Sequence, residues 1–188
     1  HLVEKGLTKQ LIYNPETLLT NQFDFNFLSN LKIQGAFMSK EITINQIVEI
    51  IDNKKYRSFY YGHGHMNMFY SKRQLISNFA KYYNLDLNSN ALNYSLTEPH
   101  RLGRYFPVLE DQAGTHIFRD KVLNSFEILD QLNKLDYFLI DTIFKDDNYG
   151  VQILDLYLNG FNQDKVNKII QKYQEEWDLG FYLKTTLF

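Results

Sequence analysis

Short apolar runs alternate along the chain with longer stretches in which apolar residues recur at helical spacing. The runs at residues 10–13, 33–38, 56–61 and 137–144 are short enough to be strands, and a helical pattern follows each of them. Strands that alternate with helices in this way favour parallel pairing, with each helix crossing back over the sheet. The pattern therefore predicts an α/β fold built from a parallel βα repeat.

Helix-capping residues support these assignments. Candidate N-caps precede four of the predicted helices, at Thr20, Thr43, Ser71 and Asn162. A glutamine stands three residues after Thr43 and three residues after Ser71, which is the spacing of a capping box. A further helix is predicted from the apolar spacing of Leu123, Phe126, Leu129 and Leu132, and the last helix is predicted to reach Trp177.

Length limits how much of a barrel the chain can form. A closed eight-stranded βα barrel takes about 250 residues, whereas this chain has 188. We therefore expect a single domain over residues 1–188 with a partial TIM-barrel-like arrangement. The polar residues 83–103 are predicted to form a loop, and residues 104–120 an inserted β-hairpin with Gly114 in its turn. The strand edge that a partial barrel leaves open favours a homodimer.

Composition excludes several kinds of chemistry and of partner. The 20 Lys and Arg residues against 22 Asp and Glu give a net charge of -2, so nucleic acid is expected to bind only through a partner. Without cysteine, the chain has no thiol nucleophile, no disulfide and no thiolate ligand for an iron–sulfur cluster. No apolar run approaches the ~20 residues of a membrane span, and we expect a cytoplasmic protein without a membrane partner.

The densest group of polar residues follows the third predicted strand. Active sites of βα barrels lie at this carboxyl end of the strands. His63 and His65 are two residues apart, so on an extended chain both side chains point to one face, as a shared metal ion or anion would require. Glu110, Asp111 or His116 would complete a metal site only if the hairpin folds over the strand end. Otherwise the two histidines are buried and hydrogen-bonded, and the residues leave both interpretations open.

Charged residues at three further positions are candidates for the site. Arg73 stands at the start of a predicted helix, where backbone N–H groups and cations attract anions. Arg104 flanks the hairpin, and it either binds substrate or pairs with the acidic residues of the turn. Asp141 lies inside an apolar run, and a carboxylate in a strand buried on both faces is costly unless it is paired or functional.

Two pairs of segments carry a resemblance to a known family. They are residues 64–67 (GHMN) with 71–77 (SKRQLIS), and residues 104–111 (RYFPVLED) with 114–117 (GTHI). The first pair is similar to the strand-end signature of the U32 peptidase family, also called collagenase-like peptidases, and the second pair resembles the hairpin of that family. The resemblance runs from about residue 10 to the end. The N-terminal strands of the family have no counterpart, so the resemblance implies the C-terminal part of a longer chain.

The chain departs from the family pattern at several positions. Asn67 and Gln74 stand where the signature has cysteines, and Lys72 stands where it has glycine. Asp141 begins the segment that replaces the Glu-Gly-Arg motif of the family and keeps a carboxylate there. Family members that hydroxylate RNA bases or take part in quinone synthesis bind an iron–sulfur cluster through such cysteines. The chain is thus most similar to the shorter, cysteine-free paralogue that occurs beside a cysteine-bearing partner, and no cluster is expected in it.

The resemblance and the residues together leave two functions open. The first is a U32-type hydrolase that cuts peptide bonds in a peptide or protein substrate, with a carboxylate activating water and a histidine or divalent metal ion polarising the carbonyl. Its expected catalytic residues are His63, His65, Glu110, Asp111, His116 and Asp141, and Asn67, Arg73 and Arg104 are expected to bind substrate.

The second function is the cluster-free subunit of a complex that hydroxylates a tRNA uridine. In that complex the chain would position the substrate or a prephenate-like anion, and a cysteine-bearing U32 paralogue would hold the cluster. For either function, we expect residues 63–67 to face the hairpin at the carboxyl ends of the strands, where the two segments form a polar pocket.

Overall fold

A computed structural model gives the fold and describes residue 2, residues 4–88 and residues 94–183. Within these residues the strands are β1 (Ile12–Tyr13), β2 (Gly35–Phe37), β3 (Arg57–Ser71), β4 (Ser95–Leu96), β5 (Phe106–Asp111), β6 (Gly114–Leu123), β7 (Tyr137–Ile140) and β8 (Trp177–Asp178). The α-helices are α1 (Gln22–Phe27), α2 (Ile44–Asn53), α3 (Leu75–Tyr83), α4 (Asp147–Asn159) and α5 (Gln163–Tyr173). Short 3-10 helices cover Thr8–Gln10, Leu28–Leu31 and Phe126–Leu132.

Four strands form the parallel half of the sheet, in the order β1, β2, β3 and β7. Gly35 of β2 is in register with Ile12 of β1 on one side and with Arg57 of β3 on the other, and Phe59 of β3 is in register with Tyr137 of β7. These are the four strands that the apolar runs predict, and their parallel pairing confirms the prediction. Their carboxyl ends meet at one edge, where α/β sheets bind ligands.

β3 is 15 residues long and joins this parallel half to an antiparallel one. Its second half pairs with β6, which pairs with β5 of the hairpin, and β4 lies outside β5. β8 adds a parallel partner to β6. The sheet is therefore mixed and open, and the barrel-like arrangement is not confirmed. Instead of leaving the sheet after residue 61, the chain continues in β3 and takes the hairpin as its neighbour.

One apolar cluster packs α1, α2 and the 3-10 helix at Phe126–Leu132 against the parallel half. The buried face of α2 consists of Ile44, Ile47, Ile50 and Ile51. Full burial of one isoleucine side chain stabilises the fold by roughly 1.5–3 kcal/mol. The predicted capping box forms at the start of α2, where Gln46 Oε1 accepts a hydrogen bond from the Thr43 N–H at 2.9 Å.

A second apolar cluster joins α4 to α5. Tyr149, Ile153 and Leu156 of α4 pack on Val166 and Ile169 of α5. As predicted, the side chain of Asn162 caps α5, accepting from the Lys165 N–H at 2.9 Å. None of the helices in the described residues is both long enough and apolar enough to cross a membrane.

Two of the predicted caps are wrong. Asn21, and not Thr20, caps α1, and its Oδ1 accepts from two N–H groups of the first turn at 3.0 Å each. Ser71 is the last residue of β3, and Gln74 is the N-cap of α3, so no capping box forms between them.

Two predicted helical residues lie in strands. Leu123 is buried at the end of β6, where strand pairing with Gly64 and Asp178 holds it. The last helix stops at Tyr173 because Gln174 adopts the left-handed conformation, with φ of 49°. Trp177 therefore belongs to β8.

The fourth predicted strand is shorter and less buried than expected. It ends at Ile140, and Tyr137 and Leu139 are 44% and 40% exposed. Tyr137 and Leu139 alternate with the half-buried Phe138 and Ile140, so they share the more exposed face of β7.

The hairpin forms as predicted, and Gly114 in its turn has φ of 141°. In the predicted loop at 83–103, Tyr83 ends α3 and Ser95–Leu96 pair with β5. Residues 89–93 of that loop lie outside the described residues.

Gly62 provides a test of the packing between β3 and β7. A Cβ at this position would lie 2.0 Å from Cε2 of Phe138. We expect Gly62→Ala to lower the free energy of unfolding by about 1–3 kcal/mol in urea denaturation, because an overpacked core forces its neighbours to shift. Adding Phe138→Ala removes the ring, so the double variant should lose less than the sum of the two single losses. Strictly additive losses would show that the contact with Phe138 is not the cause of the destabilisation by Gly62→Ala.

Candidate functional site

A polar cavity of about 190 Å³ lies at the edge where the four parallel strands end. Most of its polar lining comes from residues at or just beyond those ends. These are Asn14 and Glu16 after β1, Lys40 after β2, Asp141 after β7, and Tyr61, His65 and Asn67 of β3. Of the residues predicted from the sequence, the cavity thus brings together His65, Asn67 and Asp141.

An irregular stretch of β3 shapes this cavity. The register of β3 shifts between Tyr61 and His63 against β7, and again between His65 and Asn67 against β6. Gly64, between the shifts, has φ of +132°, which side chains of other residues rarely allow. A Cβ at Gly64 would lie 2.6 Å from Tyr61 Oη and 2.7 Å from the backbone oxygen of Asp141. Glycine therefore lets β3 and the loop after β7 approach closely beside the cavity.

His65 is only 7% exposed, and a hydrogen bond fixes its ring. Nδ1 lies 2.9 Å from the carbonyl oxygen of Arg119. Because a carbonyl oxygen can only accept, Nδ1 carries the proton, and Nε2 of the neutral ring is an acceptor. Burial lowers the pKa of His65 even though the bond to Arg119 acts in the opposite direction. The cavity is therefore bordered by a neutral imidazole.

Tyr61 and Asp141 contact each other at the cavity wall. Tyr61 Oη lies 2.7 Å from the carbonyl oxygen of His65 and 3.3 Å from Asp141 Oδ2. Burial, and then the negative charge of Asp141, raise the pKa of Tyr61, so its hydroxyl stays protonated and can donate. Asp141 Oδ1 accepts from the Ile143 N–H at 2.9 Å. Asp141 therefore follows β7, and the expectation that it lies inside a buried strand is wrong.

Asn67 connects the cavity to the hairpin. Its Nδ2 donates to Nδ1 of His116 in β6 at 2.9 Å. The ring of His116 lies against Tyr70, with centroids 4.8 Å apart, and its Nε2 is 3.9 Å from Asp111 Oδ1. Residues 63–67 and the hairpin thus lie side by side in neighbouring strands. The predicted polar pocket between them does not include Glu110, Asp111 or His116, because none of these three lines the strand-end cavity.

Glu110 holds the start of α3. Its carboxylate accepts from the N–H groups of Ile76 and Ser77 at 2.7 and 3.0 Å, and from the hydroxyls of Ser77 and Thr115 at 2.5 and 3.0 Å. Burial opposes its ionisation, but these hydrogen bonds together lower the pKa of Glu110. The negative charge also stabilises the positive end of the helix. The anion at this helix start is therefore a side chain of the protein itself.

Asp111 and Arg73 contact backbone and turn groups. Asp111 Oδ1 accepts from the N–H groups of Ala113 and Gly114 at 2.8 and 3.1 Å, which closes the hairpin turn. The N–H of Arg73 donates to Ser71 Oγ at 3.2 Å, and its side chain is not part of the strand-end cavity.

Arg104 borders a second cavity, of about 310 Å³, that shares His65 with the first. It forms an ion pair with Asp120, with Nε 3.6 Å from Oδ2. Lys145 and Glu175, a buried ion pair, line this second cavity as well. The two arginines predicted to bind substrate therefore lie away from the strand-end cavity.

His63 belongs to a buried network and lines neither cavity. Its Nε2 lies 2.9 Å from Tyr149 Oη, and its Nδ1 lies 3.3 Å from Tyr157 Oη. The Tyr157 oxygen accepts from the Ser125 N–H, and the Tyr149 hydroxyl donates to Glu175, so the His63 proton is on Nε2. Burial lowers the pKa of His63 to about 3. This is the hydrogen-bonded histidine that the sequence left as an alternative.

Metal ligands do not converge in the part of the chain that the structure describes. No three of its His, Asp and Glu side chains are placed to hold a metal ion together. The chain also lacks the thiolate ligands on which an iron–sulfur cluster depends, since it contains no cysteine. The residues present therefore do not fit that cofactor.

Sequence reasoning missed Lys40, Glu16 and Tyr61. Glu16 and Lys40 follow the first and second apolar runs, so each stands where a parallel strand ends. Polar residues directly after a predicted strand are a usable signal, but only those after the third strand are predicted on that ground.

Comparison with known proteins finds relatives of this chain. A sequence model described as Peptidase family U32 matches residues 2–184. The tRNA hydroxylation protein P2 of Bacillus subtilis (strain 168) is 27% identical over 203 residues, which cover 95% of this chain and 64% of that protein. The chain therefore spans less than two thirds of the length of this relative. No solved structure matches it significantly.

Replacement of Glu110 tests its role as a helix cap. We expect Glu110→Gln to lower the free energy of unfolding by about 1–3 kcal/mol at neutral pH, because buried donors lose their ionised acceptor. The folded pKa of Glu110 is lowered, so its stabilising effect is present above its ordinary pKa of 4.5 and is lost as pH falls through the folded pKa.

Urea denaturation at several pH values measures both effects. Glu98→Gln is the control, since its exposed ion pair with Arg101 contributes little. Equal losses in the two variants would contradict the capping role.

The protonation of His63 is a separate test. We expect its ring signals to stay constant in NMR spectra between about pH 5 and pH 8, whereas an ordinary histidine titrates there. In the unfolded chain His63 binds a proton near its ordinary pKa of 6.5, so the neutral folded ring makes the protein less stable as pH falls below that value. A ring that titrates near pH 6.5 in the folded protein would contradict the buried network.

Proposed function

Since the chain belongs to peptidase family U32, we propose that it acts as the cluster-free subunit of a complex that hydroxylates a tRNA uridine. In this role the chain positions a ligand in the strand-end cavity, beside a cysteine-bearing paralogue that carries the iron–sulfur cluster. One observation carries the proposal. His65, Asn67 and Asp141 line a small polar cavity, whereas Glu110 and Asp111 hold a helix and a turn.

The similar protein of Bacillus subtilis favours this function over peptide hydrolysis. Its name refers to tRNA hydroxylation, and the similarity extends over 95% of the chain at 27% identity. The match covers only 64% of the length of the relative. That this chain shares the activity of the whole relative is therefore part of the proposal.

The geometry of the carboxylates gives a peptidase little support. A general base works best with a pKa near the working pH and within reach of its substrate. Hydrogen bonds keep the pKa of Glu110 low, and they direct its carboxylate at α3. The strand-end cavity of about 190 Å³ is smaller than the roughly 300–1,000 Å³ usual for ligand sites. It suits a small molecule better than an extended peptide.

Charge and composition indicate which subunit would bind the RNA and which would hold the iron–sulfur cluster. A net charge of -2 provides no general attraction for RNA, so the partner would supply most of the phosphate contacts. The absence of cysteine leaves the cluster to the partner as well. We place this activity in the cytoplasm, with tRNA as the nucleic acid bound through the partner.

Three side chains of this chain would hold and orient the ligand. His65 accepts a hydrogen bond at Nε2, because Arg119 fixes the proton on Nδ1. Tyr61 donates its one hydroxyl proton to the His65 carbonyl oxygen at 2.7 Å, so its oxygen would accept a hydrogen bond from the ligand. The Asp141 carboxylate, 3.3 Å from that oxygen, would accept another. The cluster of the partner would supply the oxidation chemistry, and none of these residues carries it.

The proposal is tested in the organism that carries this chain. We expect deletion of the gene to remove hydroxyuridine from tRNA, as measured by mass spectrometry of digested nucleosides, and a wild-type copy to restore it. Copies with His65→Ala or Asp141→Asn should restore at most about a tenth of the wild-type hydroxyuridine. Small displacements of the groups at a reacting centre lower the reaction rate strongly. His100→Ala and Asp164→Asn are matched controls at exposed positions outside the cavity, and they should restore the full amount.

Two results would overturn the proposal. Hydroxyuridine that is unchanged by the deletion would exclude the function in tRNA modification. Gelatin cleavage by the purified protein that Glu110→Gln abolishes, with no loss of thermal stability, would instead establish the peptidase function and a catalytic role for Glu110.

A further inference from the structure

The second cavity, of about 310 Å³, has aromatic walls and no excess of charge. Apart from His65, the rings that line it are Tyr94, Tyr105, Phe144 and Tyr173. Its charged side chains form three ion pairs, which are Arg104–Asp120, Lys121–Glu176 and Lys145–Glu175. Aromatic rings stack on flat molecules, and balanced charges give no preference for an ion. The cavity is therefore suited to a flat, uncharged ligand.

Lys145 has hydrogen-bond donors to spare in this cavity. Its side chain is 8% exposed, and its ammonium group contacts the carboxylate of Glu175. An ammonium group carries three N–H donors, yet among the described residues Glu175 is the one acceptor that Nζ contacts. The rings of Tyr149 and Tyr173 lie 5.4 and 5.5 Å from Nζ and present only their faces. Because a buried donor without an acceptor is costly, an acceptor on a ligand would stabilise this position.

Glu175 balances the charge of Lys145 and decides which kind of acceptor fits. Its side chain is 3% exposed, and its Oε1 also accepts from the Tyr149 hydroxyl at 3.0 Å and from Trp177 Nε1 at 2.6 Å. An anion added to a balanced buried pair would bring one unpaired buried charge. The acceptor that suits Lys145 is therefore a neutral one, such as a carbonyl oxygen on a ring.

A strained backbone holds an aromatic ring beside this donor. Phe144 has φ of 69°, in the left-handed region that residues other than glycine seldom occupy. Its ring meets those of His65 and Phe118 edge-on, with centroids 5.9 and 5.0 Å apart. Strain of this kind is concentrated at functional sites. The arrangement places an aromatic side chain and the Lys145 ammonium group next to each other in the lining of one cavity.

We propose that the second cavity binds the uracil base of a uridine nucleotide, with the base against the aromatic walls and its 4-carbonyl oxygen accepting from Lys145. The 4-carbonyl lies on the edge of the base that points away from the ribose. The base can therefore enter with this edge first, while the ribose and the phosphates stay outside. Enzymes that act on a base take it out of its stack into a pocket that reads this edge.

The position of the cavity and the charge of the chain agree with this role. His65 lines both cavities, so a base bound in the second one lies beside the strand-end cavity. Uptake of a single base requires no surplus of positive charge, and the chain has none, with a net charge of -2. The choice of uridine rests on the proposed function, but binding of the nucleoside can be measured without tRNA or a partner.

The test is an NMR titration of the purified full chain with uridine. We expect wild type to bind uridine saturably, and Tyr105→Ala to bind it roughly tenfold more weakly, as is typical when one stacking ring is removed. Tyr105 is 63% exposed, so its replacement should leave the fold intact. Tyr82→Ala is the matched control, since Tyr82 is 78% exposed on α3 outside the cavity, and it should bind uridine as wild type does.

Cytidine tests the contact with Lys145. It carries an amino group in place of the 4-carbonyl, and an amino group donates where Lys145 needs an acceptor. We therefore expect wild type to bind cytidine at least roughly tenfold more weakly than uridine. Lys145→Met combined with Glu175→Gln removes both charges and leaves neither unpaired. This double variant should no longer distinguish the two nucleosides.

Four outcomes would overturn the inference. They are no saturable binding at the solubility limit of uridine, equal affinities of Tyr105→Ala and Tyr82→Ala, cytidine bound by wild type as tightly as uridine, and a double variant that still prefers uridine. The first three remain decisive even if the double variant fails to fold. If uridine binds as expected while gene deletion leaves hydroxyuridine unchanged, the base site stands and the tRNA function fails. The reverse pair of results would remove the base site alone.

Discussion

Backbone pairing along β3 is the interaction on which the rest of the structure depends. The first half of this strand has parallel neighbours on both sides, and the second half pairs with the antiparallel hairpin. A long strand satisfies its N–H and C=O groups without leaving the sheet, so no helix has to follow residue 61. The strand-end cavity lies where β3 changes partners, because β2 and β7 end there while β3 continues.

The hydrogen-bond donors around a carboxylate decide its role at each position in this fold. Glu110 meets the exposed N–H groups of a helix start and is held ionised as a structural anion. Asp141 meets a tyrosine hydroxyl at the cavity wall, where a ligand is within reach. Glu110 and Asp141 are both candidate catalytic residues in the sequence. The hydrogen-bond donors around each carboxylate distinguish their roles in the structure.

Local patterns predict much of the fold and part of the candidate site. Apolar periodicity identifies the four parallel strands and the hairpin, because each depends on residues close together in sequence. The continuation of β3 and the capping by Glu110 depend on partners more than thirty residues away, such as Ile76, and no local pattern contains them. His65 and Asn67 are predicted because they follow a recognised strand, and Asp141 because it interrupts an apolar run. Glu16 and Lys40 also follow predicted strands, but they meet only through an ion pair that spans 24 residues of sequence.

His65 is shared by two cavities. It lines both the 190 Å³ space and the 310 Å³ space, and the hydrogen bond from its Nδ1 to the Arg119 carbonyl oxygen fixes the orientation of its ring. A substitution at this one position therefore alters the lining of two cavities at once.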